Sequence, residues 1–266
     1  VAAPTAAKTI TGANSATRPL RPARRRLPFP LNLYQTAVGK KWVMAVTGVM
    51  LLGFVLFHLF GNIKLYLGVI EHNGEQAYDV DLYAEGLRDL ATPIFPRTWL
   101  LWLLRFGLIG AFVFHIHAAY SLTRMNLATN RSYESKRDWV AANFASRSMR
   151  YTGVIVLAYL LFHLADLTWG WVDADWRRGE VQHNVVESLS NPVIAVIYIV
   201  ANVALAIHIF HGVYSIFQSL GINNPQYNQL RRYLAMALAA IILVGNVSFP
   251  IAVLTNIIEY DPSLLG

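Results

Sequence analysis

Five apolar stretches, at approximately 42–67, 98–123, 149–172, 192–219 and 231–257, take up most of this chain. Each is close to the roughly 20 residues a helix needs to cross about 30 Å of hydrocarbon. A backbone in hydrocarbon must satisfy its own polar groups, which for an open chain means α-helix. Composition agrees, with 55% of the 266 residues hydrophobic and 14% charged. A soluble chain this apolar would expose large sticky patches. The expected fold is therefore an all-α integral membrane protein with five transmembrane helices. Residues 1–33 form a flexible basic arm, 34–258 the transmembrane domain and 259–266 a short tail.

Charge sets the expected orientation. Arg18, Arg21, Arg24, Arg25 and Arg26 lie in the arm, the 124–150 loop carries Arg124, Arg131, Lys136, Arg137, Arg147 and Arg150, and Arg231 and Arg232 precede the fifth stretch. Basic loops stay on the cytoplasmic side. The 68–97 and 173–191 loops and the tail are acid-rich, so the chain is expected to sit multi-pass in the cytoplasmic (inner) membrane, N-terminus in and C-terminus out. The net charge of +7 is explained by this topology and needs no nucleic acid partner. No secretory signal is read, because the first apolar stretch is too long for a signal core and no A-x-A site follows it.

Between the first two stretches, Tyr78, Leu82, Tyr83, Leu87 and Leu90 recur at helical spacing before Pro93 and Pro96. The 68–97 segment is expected to be a short surface helix capping the outer end of the bundle. Arg105 and Asp166, the charged residues of the second and third stretches, lie near enough to an interface to snorkel or pair. There is no soluble catalytic domain, no Gly-rich phosphate loop and no repeat beyond one histidine per helix.

The chain has no cysteine, which excludes thiolate-ligated haem, CxxCH attachment and any iron–sulfur cluster held by this chain alone. Metal chemistry must run through histidine. Six of the eight histidines, His58, His115, His117, His163, His208 and His211, fall in the first four stretches. An imidazole in hydrocarbon loses hydration unless it bonds something. At about 1.5 Å of rise per residue, His58 and His163 share one depth towards the outer face, and His117 and His208 share another towards the cytoplasm. Two level pairs, one above the other in a four-helix core, suit b-type haem, which takes two imidazoles from different helices. A zinc site would gather three or four ligands at one depth. His115 and His117 are about 200° apart around a helix, so only one can face a given haem. His208 and His211 share a face, and His211 is a candidate for a propionate, a quinone or a second subunit. A further use of the spare histidines is as nitrogen ligands to a cluster whose cysteines come from a partner chain.

The stretches TAVGKKWVMAVTG leading to FHLFGN at His58, FHIHAAYSL at His117, ASRSMRYTG leading to LFHLADL at His163, and HIFHGVYSIFQSLG at His208 resemble the cytochrome b membrane-anchor subunit of succinate dehydrogenases and fumarate reductases, in its five-helix di-haem form. The resemblance runs from about residue 36 to 257. It implies that His58 and His163 ligate the haem b distal from the dehydrogenase and His117 and His208 the proximal one, with His115 and His211 as second-choice ligands. It also implies a complex in which a flavoprotein with FAD oxidises succinate and an iron–sulfur subunit passes electrons to this anchor, which reduces menaquinone or ubiquinone. An additional small membrane subunit is an open element of that complex.

No catalytic residue for succinate lies in this chain. Quinone reduction needs an apolar slot with donors for the carbonyl oxygens. Tyr34, Lys41, Ser146, Arg147 and Tyr151 are candidates at the cytoplasmic face, and Asn62, Tyr66 and Asp166 at the outer face. Three other readings predict different observations: a haem-free quinone-binding anchor, a cytochrome b anchor of another dehydrogenase, and a transporter with proton-relay histidines. The last requires helices broken at mid-membrane, whereas Gly48, Gly53, Gly107 and Gly110 sit in continuous apolar runs.

Overall fold

A computed structural model describes residues 28–29, 31–128, 136–222 and 224–265, with the side chains of 128 and 136–147 excepted. The arginine-rich arm and the side chains of Ser146 and Arg147 lie outside the described residues. Five helices are long and apolar enough to span a membrane, and the protein is an all-α integral membrane protein. The long helices are α2 (Ala37–Asn62), α4 (Trp99–Ala128), α5 (Lys136–His163), α7 (Pro192–Ser219) and α8 (Asn228–Leu254), with a single turn, α1 (Leu31–Tyr34), before the first. Their outward faces are apolar: Phe57 is 75% exposed, Leu103 67% and Val244 69%. Lipid tails cover such surfaces as readily as protein does.

Small residues set the interior contacts. Ala111, Ala118, Ala195, Ala201, Ala204, Ala206, Ala235 and Ala239 are buried, which lets helix backbones approach closely. α7 is the central helix and packs on α8, α5 and α2, while α4 packs on α2. Neither α4 and α7 nor α2 and α5 pack closely together, so two seams run through the bundle.

Local signals fix the helix ends. Thr36 caps α2 by accepting from the Gly39 amide at 2.9 Å. Asn191 caps α7 by accepting from Val193 at 3.0 Å, with Pro192 in the first turn where its missing N–H costs nothing. α5 ends at His163 and continues as one π turn over Leu164–Thr168, a geometry that often marks functional positions.

The 68–97 segment differs from its expected single helix. It opens with an antiparallel hairpin, β1 (Val69–His72) and β2 (Glu75–Tyr78), followed by a ten-residue helix α3 (Asp79–Arg88). Asn73 and Gly74 occupy the turn with φ of 55° and 88°, and Asn-Gly is the pair that tolerates two left-handed positions in succession. The 173–191 loop likewise contains a helix, α6 (Val181–Ser190). Asp81 on α3 caps it by accepting from the amides of Val181 (2.5 Å) and Gln182 (3.0 Å).

These elements and the tail close one end of the bundle, called here the capped end, opposite the arm end where α2 begins. Tyr78 stacks on Tyr260 with ring centroids 5.4 Å apart, and its hydroxyl accepts from the Asp261 amide at 2.7 Å. Gly170 makes the turn out of α5 with φ of 64°, and a Cβ there would meet Trp176 ring atoms at 2.6–2.8 Å. Gly170→Ala is expected to cost on the order of 1–3 kcal/mol and to lower the melting midpoint of the detergent-solubilised protein, measured by thermal denaturation.

Candidate functional site: two facing histidine pairs

Histidines from four helices face each other across the two seams. The rings of His58 on α2 and His163 on α5 have centroids 5.9 Å apart with planes at 82°. Those of His115 on α4 and His208 on α7 are 6.4 Å apart at 65°. A metal ion sits about 2 Å from an imidazole nitrogen, and the ring centre lies roughly 1 Å further back, so two rings on opposite sides of one metal have centroids about 6 Å apart. Both pairs have this spacing, and each joins helices that do not otherwise pack closely.

His115 lies against Thr47 and Gly48 of α2, 11 residues before His58 on the same helix. At 1.5 Å per residue the two levels are about 16 Å apart along the bundle. The His115/His208 pair lies towards the arm end and the His58/His163 pair towards the capped end. Among the described residues no group of three or more histidine, aspartate or glutamate side chains gathers to hold a bare metal ion.

Hydroxyl groups meet the back of three of these rings. Nδ1 of His115 is 3.2 Å from Thr47 Oγ1, and Nδ1 of His208 is 3.3 Å from Thr152 Oγ1. Gly48 and Gly153, next in sequence, lie directly against the rings, where a Cβ would come into van der Waals contact with the ring Cε1 at 3.4 and 3.5 Å. Nδ1 of His163 is 3.3 Å from the Tyr198 hydroxyl. That hydroxyl donates to Asp166 Oδ2 at 2.7 Å, as does Ser188 at 2.7 Å. Asp166, expected near an interface, is 1% exposed, and its Oδ1 has no hydrogen-bond partner among the described residues. His58 stacks on Phe54 at 5.4 Å, and His163 leans on Tyr159 at 5.8 Å.

The expected choice of His117 over His115 does not match this geometry. His117 points to the arm end, where Nδ1 is 2.5 Å from the Tyr34 hydroxyl. Among the described residues that hydroxyl forms no other hydrogen bond, so it is free either to donate to Nδ1 or to accept from it. Partial burial raises the Tyr34 phenol above its ordinary value, which keeps it protonated. What separates His117 from the seam is its partner, since its ring meets Tyr34 with centroids 5.6 Å apart while His115 is the one opposed to His208. Lys40 completes the cluster, donating to the Tyr34 carbonyl at 2.7 Å and standing 4.2 Å above its ring. His211 is turned away from the seam. It lines an open cleft of about 830 Å³ between α7 and α8 with Tyr214, Arg232 and Tyr233.

The remaining quinone candidates are not gathered into one pocket. Lys41 is exposed and Tyr151 is 70% exposed on the lipid-facing surface, so neither joins Tyr34. At the capped end Tyr66 packs on Phe249 at 5.6 Å, and Asn62 is partly exposed beside it.

The bundle also carries an internal repeat that the sequence reading did not find. Met44, Thr47, Gly48, Phe57, His58 and Leu59 recur 105 residues later as Met149, Thr152, Gly153, Phe162, His163 and Leu164. On the partner helices, His115, His117, Tyr120 and Ser121 correspond to His208, His211, Tyr214 and Ser215 with one residue inserted. The α2–α4 unit and the α5–α7 unit are thus equivalent, and each facing pair joins a residue to its own counterpart. The ungapped alignment pairs His117 with His211, Tyr120 with Tyr214 and Ser121 with Ser215, and one residue inserted between His115 and His117 brings His115 to His208.

Residues 130–247 match a family model described as the succinate dehydrogenase/fumarate reductase transmembrane subunit. The match spans α5, α6, α7 and most of α8, and contains His163, His208 and His211. No curated protein and no solved structure matches the chain.

Proposed function

We propose that this chain is the haem-bearing membrane anchor of a succinate:quinone oxidoreductase, in which His58 and His163 ligate one b haem and His115 and His208 a second. The observation that carries this reading is the pair of opposed imidazoles at each of two levels, at the spacing one intervening metal requires. The family match supports it over the α5–α7 unit. The internal repeat extends the same chemistry to α2 and α4, which lie outside the matched residues.

A b haem bound at each level supplies reversible one-electron carriage. The chain's own part is to hold the axial imidazoles rigidly, to keep their lone pairs directed into the seams and to exclude water with the surrounding apolar helices. In the expected topology the arm end faces the cytoplasm, with its basic loops towards an iron–sulfur subunit that carries electrons from the FAD-bearing flavoprotein. Haem held by His115 and His208 would be the carrier nearer that subunit, and haem held by His58 and His163 would lie about 16 Å beyond it. Quinone, either menaquinone or ubiquinone, is reduced beside one of these levels, with Tyr34 a candidate donor at the arm end and Asn62 and Tyr66 at the capped end. Succinate chemistry resides in the partners.

Purification of the complex through this chain in mild detergent tests the assignment. Co-purification of a flavoprotein and an iron–sulfur subunit with succinate-dependent quinone reduction is expected. A preparation with a different dehydrogenase, or with substrate transport and no redox partner, would overturn it.

A further inference from the structure

Thr47, Thr152 and Tyr198 have no assigned role, yet each places a hydroxyl at Nδ1 of a proposed ligand. What distinguishes them is where their own protons go. Thr47 donates to the Val43 carbonyl at 2.7 Å, and Thr152 to the Ser148 carbonyl at 2.7 Å. Tyr198 donates to Asp166 Oδ2 at 2.7 Å. A hydroxyl has one proton, so each of these oxygens can meet Nδ1 only as an acceptor. Nδ1 must then carry the imidazole proton and Nε2 the lone pair, and the Met44 and Met149 carbonyls accept from His115 and His208 beside the two threonines.

We propose that Thr47, Thr152 and Tyr198 are positioning residues whose committed hydroxyls fix the tautomer of His115, His208 and His163, hold the ring planes and set the ligand strength of each Nε2. The proposal rests on the haem reading above. Three observations carry it. The Thr–Gly pair recurs at equivalent positions of the repeat, 47–48 and 152–153. The hydrogen-bond arrangement recurs with it. The third hydroxyl reaches the same result through a different residue, backed by a buried carboxylate. His117 is the internal contrast, because its hydroxyl partner Tyr34 donates to no third group among the described residues and so leaves the His117 tautomer unfixed.

Hydrogen bonding at Nδ1–H makes an imidazole a stronger donor to its metal, and a stronger donor favours the ferric state. Removing the acceptor therefore raises the midpoint potential of the haem concerned. The variants are Thr47→Val and Tyr198→Phe, which keep shape and lose the oxygen, made in the whole complex. Haem content, potentiometric titration and the low-spin haem EPR spectrum are read in each.

Thr47→Val is expected to shift the potential and largest g value of the His115/His208 haem alone, and Tyr198→Phe those of the His58/His163 haem alone. Thr47→Ser is expected to restore the original values. Loss of one haem in Thr47→Val that Thr47→Ser retains carries the same meaning. Unchanged potentials and g values in both variants, with two haems present, would overturn the positioning role while leaving the ligand assignment standing. Absence of haem from the unaltered complex would instead remove the reading on which the proposal rests. Thr123→Val is the control, since that hydroxyl bonds only the Ala119 carbonyl at 2.9 Å.

Discussion

His115→Ala is expected to lower the haem content of the purified complex from about two per chain to about one, whereas His117→Ala retains both. The two residues are two apart on α4 and differ in what they meet. The His115 ring is opposed to His208 with centroids 6.4 Å apart and backed by Thr47, while the His117 ring is taken by Tyr34. A haem lacking one axial imidazole loses half of its fixed coordination, and His208 cannot supply the second bond. His58→Ala and His163→Ala are expected to remove the other haem and spare the one at His115. Pyridine haemochrome quantitation against protein checks each variant, and full haem content in His115→Ala with a loss in His117→Ala would reverse the assignment.

The second large effect is steric. At Gly153 an added Cβ would already stand 3.5 Å from His208 Cε1, and at Gly48 3.4 Å from His115 Cε1. Gly153→Leu places three further carbons where the ring lies, and a close-packed interior has no room to absorb them without moving a side chain by more than a metal bond tolerates. Loss of the haem at this level is expected, to about one per chain. Gly53→Leu, on the same helix as Gly48 but with nothing within 4 Å of its Cβ, is expected to retain both. Optical difference spectra of the two variants distinguish a local clash from general intolerance of bulk.

Much of this arrangement was legible in the sequence. Hydrophobic length alone located the five helices, and rise per residue put the histidines at two levels, because both follow from helix geometry without reference to neighbours. The choice between His115 and His117 was not legible by depth, since 3 Å of rise separates them. It turns on which hydroxyl each ring meets, and Thr47 and Tyr34 come from a different helix or turn. A signal was nevertheless present, in the Met-x-x-Thr-Gly to Phe-His-Leu pattern of 44–59 repeated at 149–164. Histidine content alone does not reveal it, because the match lies in the register of the flanking residues.

The capped end shows the opposite weakness. Leucines and tyrosines at helical spacing between 78 and 90 correctly place α3, but the same pattern was carried back across Asn73-Gly74, which is a hairpin turn by its own chemistry. α6 was passed over because its buried face includes Gln182, His183 and Asn184, polar residues that a hydrophobic pattern does not detect. The partners that bury Asp166, Ser188 and Tyr198, lie 22 and 32 residues away, where no local pattern connects them to it.

A reduced-minus-oxidised optical spectrum of the purified complex, with pyridine haemochrome quantitation normalised to this chain, is the most direct test of the two facing pairs as ligands. About two haems b per chain are expected. Their absence from the intact complex would contradict the ligand role of His58, His115, His163 and His208.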